Sequence, residues 1–119
     1  MNRSAKNLYT LRPERTVRWE TTPEGLAVLI VPRFRARLLA RFLLPRLKRP
    51  EFRVRLDALG TSVWERCDGV STVLEIAASV HTRFGGDRDG IDERVSAFVV
   101  QLERDGYVKM QEGGTLPPG

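Results

Sequence analysis

Cysteine is almost missing from this chain: Cys67 stands alone among 119 residues. One thiol closes no internal disulfide, which excludes the small secreted domain held by bridges. Histidine is as scarce, and His81 has no second histidine and no cysteine at metal-ligand spacing, so it reads as an ordinary helical residue. No apolar run approaches the roughly 18 residues of a membrane-spanning helix. The opening stretch MNRSAKNLYTLRPER lacks the apolar centre of a secretory signal. Phosphate loops are absent too, since RFGGDRDG follows a helical pattern and holds neither G-x-G-x-x-G nor a P-loop. The carboxylates Asp87, Asp89, Asp92 and Glu93 have the wrong spacing for a calcium loop, and acidity at a helix start accounts for them. Cys67 follows Trp64 by one turn and reads as a core thiol, with no histidine placed to activate it. No catalytic constellation forms. The expectation is a cytoplasmic protein that is not an enzyme and carries no cofactor or metal.

What is present suits one soluble domain, with 41% hydrophobic and 29% charged residues. The net charge of +5 is unevenly spread. Residues 31–55 hold nine Lys/Arg against one acid, whereas residues 56–119 hold six against eleven. A basic middle is followed by an acidic C-terminal half.

Residues 1–11 read as a flexible tail and 111–119 as a disordered one, with the domain at 12–110. TVRWE, 16–20, is strand-like; TTPEG is a turn by composition; LAVLIV, 26–31, is a covered strand; together they predict a hairpin. The segment 32–50 is a basic insertion in which Leu38, Leu39, Phe42 and Leu43 keep helical spacing until Pro45 interrupts it. FRVRL, 52–56, alternates at period two, with Phe52, Val54 and Leu56 on one face and Arg53 and Arg55 on the other. The period then changes to about 3.6. Asp57 is placed to cap a helix carrying Leu59, Val63, Trp64 and Cys67, with Gly69 as its stop. Thr72 and Glu75 have capping-box spacing ahead of Val73, Ile76, Ala77, Val80 and Phe84. Ile91, Val95, Phe98, Val99 and Leu102 give a third helix, ended by Asp105-Gly106, and YVKM, 107–110, adds a short strand. The fold class is α+β, winged-helix-like: a three-stranded N-terminal antiparallel sheet followed by three helices.

Two helices joined by DGVS suggest a DNA-binding helix-turn-helix, but the helices lack the basic surface that phosphate contacts require. The basic insertion reads as a solvated loop over one end of the sheet; a grip on an acidic partner and contact with an anionic membrane surface are the alternatives. FRVRL reads as an edge strand. Its arginines either only prevent aggregation or flank an edge to which an extended peptide adds.

LDALGTSVWERCDGVSTVLEIAASVHTRFG followed by VSAFVVQLERDGYV resembles the PqqD family, the coenzyme PQQ synthesis protein D-like group. The pattern lies in Leu56, Gly60, Trp64, Asp68, Gly69, Thr72, Val73, Glu75, Ile76, Ala77, Phe98, Leu102, Gly106 and Val108, and covers residues 52–110. The resemblance implies a recognition element for ribosomally made, modified peptides. Such a domain is a non-catalytic chaperone that binds a precursor's leader and presents it to a modifying enzyme, often a radical-SAM protein; PQQ synthesis is one such pathway. It further implies that the leader adds to the third strand beside the third helix. The peptide-binding residues are then Phe52, Arg53, Val54, Arg55, Leu56, Ile91, Val95, Phe98 and Val99, with Trp64 a core anchor. Expected partners are that leader and that enzyme, not nucleic acid or membrane, with the chain a monomer or weak homodimer. The rivals are a DNA-binding winged helix and an accessory subunit that docks on an enzyme without binding peptide. The insertion at 32–50 departs from the compact family pattern.

Overall fold

The computed structural model describes residues 5–32 and 51–112. In chain order these form α1 (Ala5–Thr10), β1 (Arg12–Arg15), β2 (Arg18–Thr21), β3 (Ala27–Pro32), β4 (Glu51–Arg55), α2 (Ala58–Glu65), α3 (Val73–Phe84), α4 (Arg88–Arg104) and β5 (Val108–Gln111). The basic insertion, beyond Pro32, and residues 113–119 lie outside the described residues.

Strands β2, β3 and β4 make an antiparallel sheet in that order. The predicted hairpin joins the first two. Gly25 N–H donates to Thr22 C=O at 2.8 Å, Pro23 and Glu24 sit between, and Gly25 takes φ +88°. That is a tight turn closed by a residue in the left-handed region, where glycine carries no Cβ penalty. Three helices follow the sheet, so the α+β expectation holds, and the order is compatible with a winged-helix-like arrangement.

The helix signals act as the sequence indicates. Asp57 accepts from Gly60 N–H at 2.7 Å at the start of α2. Thr72 and Glu75 exchange bonds of 3.1 and 2.8 Å as a full capping box. Asp87 caps α4 by accepting from Gly90 N–H at 2.8 Å, and Arg88 pairs with Asp92 at 2.9 Å, so the acidic cluster is helix-start chemistry. At the far end, Gly106 N–H reaches Glu103 C=O and Tyr107 N–H reaches Leu102 C=O. Gly106 takes φ +83°, and this pair of bonds is a Schellman close. Gly69 does not end α2, which stops at Glu65 with Arg66 as its cap; it turns the chain three residues later and donates to Pro13 C=O at 2.8 Å.

Part of the N-terminal stretch expected as a flexible tail is ordered. Residues 5–10 form a short helix whose Leu8 and Tyr9 pack on the core, and Leu11 is buried. RPER then forms β1, paired antiparallel with β5. Its other side is bonded to the α2–α3 connection: Arg15 N–H to Cys67 C=O, Gly69 N–H to Pro13 C=O, and Val73 N–H to Leu11 C=O. Residues 11, 13 and 15 face that connection, so the donor that Pro13 lacks is not asked of the β5 ladder.

Trp64 is the centre of the core, fully buried, with Trp19 of β2 set edge-on to it at 6.4 Å and 84°. Truncating so large a buried ring costs roughly 3–5 kcal/mol. Around it lie Leu29 and Val31 of β3, Val63 and Cys67, Ile76 and Val80 of α3, and Val95 and Val99 of α4. Helix α2 is tied under β3 by Ala27 N–H donating to Thr61 Oγ1 at 2.8 Å. The middle strand β3 is therefore covered, while the inner faces of β2 and β4 on either side of it stay partly open.

Candidate functional site

FRVR alternates, and β4 takes the geometry that alternation asks for. It pairs with β3 so that Leu29 faces Val54, Ile30 faces Arg53 and Val31 faces Phe52. Leu56 N–H donates to Ala27 C=O at 2.9 Å, which fixes the parity of the ladder. In an antiparallel pair, bonded and non-bonded residues alternate. Phe52, Val54 and Leu56 thus turn their main-chain groups to β3, while Arg53 and Arg55 turn their N–H and C=O outward. Among the described residues no strand pairs with that side.

The two faces of β4 differ. On the outer face, Arg53 reaches over β3 to Glu20 of β2 at 2.8 Å, and Arg18 of β2 reaches Glu51 at 3.0 Å. These crossed pairs span Ile30 and Val28, both buried. The Arg53 guanidinium, by hydrogen bond and charge, holds the Glu20 carboxyl below its ordinary range, and Glu20 raises Arg53 in turn. All four side chains are well exposed or nearly so, and such pairs are worth little to stability. On the inner face, exposure falls along the strand. Phe52 is 40% exposed, Val54 is half-buried and Leu56 is 8% exposed.

Helix α4 reaches this corner through Phe98. A methyl group added at Gly60 would lie 3.3 Å from Phe98 Cζ and 3.5 Å from Leu56 Cβ. The missing side chain at Gly60 lets the ring approach the turn from β4 into α2. Phe98 is half-buried and so keeps a surface. The other α4 residues expected at the site do not. Val95 and Val99 are fully buried and Ile91 is 6% exposed, all within the core. The apolar stripe of an amphipathic helix is its core contact, and Phe98 lies at the flank of that stripe. The structure therefore sets Phe52, Val54 and Leu56 along one face of the strand, places Phe98 by Gly60 at the Leu56 end of it, and leaves Arg53 and Arg55 on the opposite face. Gly60 was not among the expected site residues; a glycine in the first turn of a helix, where it costs helix stability, is the signal that marks it.

Other singled-out groups have structural partners. Cys67 is buried, donates to Val63 C=O at 3.3 Å, and burial pushes its thiol up to about 12. His81 Nε2 bonds Gly86 C=O at 2.9 Å at the end of α3. Asp68 accepts from Val70 and Ser71 N–H at 2.8 and 2.9 Å, bonds that lower its carboxyl.

Fold and site together define a small α+β domain with an exposed strand edge beside a helix-borne aromatic ring. Residues 50–108, from the residue before β4 to the first residue of β5, match the family model described as Coenzyme PQQ synthesis protein D (PqqD), and this region of the chain is PqqD-like. The family is one of accessory, non-catalytic proteins. No curated protein and no solved structure matches the chain. No helix among the described residues is long and apolar enough to cross a membrane.

Proposed function

We propose that this protein is a non-catalytic, cytoplasmic peptide chaperone. It takes up the leader of a ribosomally made precursor as a strand added to β4, and presents it to a separate modifying enzyme. The observation that carries the reading is the open side of β4, where Arg53 and Arg55 offer main-chain groups beside an apolar face of Phe52, Val54 and Leu56 that ends near Phe98. The family match supports it, because it covers β4 and α4 and leaves out β2, the other edge of the sheet.

Magnitudes assign the labour. Three outward residues, Glu51, Arg53 and Arg55, can make up to six main-chain bonds, each worth about 0.5–1.5 kcal/mol net. Association alone costs on the order of 4–15 kcal/mol. The ladder therefore sets register, and the apolar face must supply much of the affinity. Nucleic acid fits poorly, since α4 sets Arg88, Arg94 and Arg104 against Asp89, Asp92, Glu93 and Glu103.

The test is a titration of the leader of a precursor encoded beside this gene into isotope-labelled protein, followed by NMR. Shifts are expected at residues 52–56, Gly60 and Phe98. Shifts confined to the basic insertion would point to a charge contact instead, and overturn the reading. Backbone N-methylation of the leader at alternate residues sharpens it. One set should abolish binding and the other leave it, because only every second amide of an added strand faces β4.

A further inference from the structure

We infer that the strand accepted by β4 carries an acidic residue opposite Arg55, with apolar residues on both sides of it. The inference rests on the leader reading above and specifies the peptide that reading requires.

Residues opposite one another on neighbouring strands share a face, whichever way the new strand runs. A peptide residue opposite Arg55 therefore lies on the outer face, and its two neighbours lie on the inner face, opposite Val54 and Leu56. On the outer face the charges are mostly satisfied. Arg18 is paired with Glu51 and Arg53 with Glu20. Arg55 is exposed and is in no ion pair within 4 Å among the described residues, so it is the excess cation of this face. Glu24 in the β2–β3 turn feels its charge, but that carboxylate is held first by bonds to main chain and to Thr22. The peptide position opposite Arg53 meets a cation already engaged and is left undemanding. The next lies opposite Phe52, on the inner face again. Read from the residue opposite Leu56, the pattern is apolar, acidic, apolar, unrestricted, apolar.

The same charges limit a second copy of the chain as the occupant. Antiparallel pairing of two β4 strands about Val54 would set Arg53 against Arg55 twice, and parallel pairing in register would set Arg55 against Arg55. Antiparallel pairing about Arg53 would set Glu51 against Arg55 twice, but Glu51 is already paired with Arg18 of its own sheet. Like charges directly opposite are destabilising, and charged edges of this kind discourage self-pairing.

Two synthetic peptides test the rule against the full chain. One carries Leu-Glu-Val-Ser-Phe and the other Leu-Lys-Val-Ser-Phe, in identical uncharged flanks, each also made in reverse order to cover both strand directions. Binding is read by fluorescence anisotropy and located by NMR. The glutamate peptide should bind about fivefold tighter or more at low salt, and the gap should close near about 1 M salt. In Arg55→Glu the order should invert, which a merely misfolded variant would not do. Equal affinities for both peptides, with shifts on β4, would overturn the charge rule and leave strand addition standing. No shift on β4 with any of the four would overturn both. A concentration-dependent dimer of the free protein, with the β4 amides protected from exchange, would name the second copy as occupant and overturn the rule.

Discussion

β1 and β4 are short strands, RPER and EFRVR, and each carries two arginines. They differ in what lies on their second side. β1 has β5 on one side and the α2–α3 connection on the other, so both of its edges are bonded. β4 has β3 alone among the described residues. Their arginines differ to match. Arg15 folds inward, donates to Trp64 and Glu65 C=O at 2.9 and 3.0 Å, and lies over the Trp19 ring at 5.5 Å. Arg12 bonds Val70 C=O and stands 4.0 Å from Glu75. Arg53 and Arg55 stay on the exposed outer face. Similar composition thus serves a closed seam in one place and an open edge in the other, and only the neighbours decide which.

Proline separates the two sides of β4 most sharply. At Val54 it would remove an N–H that the ladder to β3 uses, at a cost of about 3 kcal/mol. At Arg55 the lost N–H points outward, and proline is tolerated on such edges, so less than about 1 kcal/mol is expected. Urea unfolding reads both. Peptide binding should fail in Arg55→Pro although the fold survives. Equal costs at the two positions would mean that the ladder parity is wrong and that the proposed edge does not exist.

The next contrast is between arginines. Arg15→Ala strips α2 of a charged donor to two carbonyls and should cost about 2 kcal/mol, with peptide affinity unchanged. Arg55→Ala touches nothing that holds the fold and should change stability by less than about 0.5 kcal/mol. Denaturant midpoints for the two variants check the order, and reversed ranks would break the distinction between seam and edge.

How much of this could be read beforehand follows from the same contrast. β4 was legible because FRVRL alternates apolar and basic residues, and its faces came out as expected. The three helices were legible through their 3.6 period and the caps at Asp57 and Thr72. β1 was not. RPER has no apolar alternation and a proline, and its partner β5 lies at the other end of the chain. A strand defined by distant neighbours leaves no local signature. The candidate site was half legible for a related reason. Periodicity placed Ile91, Val95, Phe98 and Val99 on one helix, but it did not separate Ile91, Val95 and Val99, which are buried, from Phe98, which keeps a surface. The side of the helix that meets β4 depends on how α2 and α4 pack at Gly60, which no local pattern records.

The smallest effect separates the carboxylates of the two regions. Glu20, by the edge, is lowered by the exposed guanidinium of Arg53; Asp68, by the seam, is lowered mainly by the amides of Ser71 and Val70. A carboxylate depressed in the folded state adds stability above its unfolded pKa and loses it as pH falls through the folded one. Both contributions should therefore be intact at neutral pH and fade below the ordinary carboxylate range. Salt should tell them apart. Screening weakens an ion pair at the surface, whereas amides fixed in a turn keep their hydrogen bonds. Titration followed by NMR should show Glu20 returning toward its ordinary value at high salt while Asp68 stays low. A salt-resistant Glu20 would mean that the crossed pairs over β3 are rigid. Arg53 would then be locked in place, and the outer face of β4 would be part of the scaffold and not of the edge.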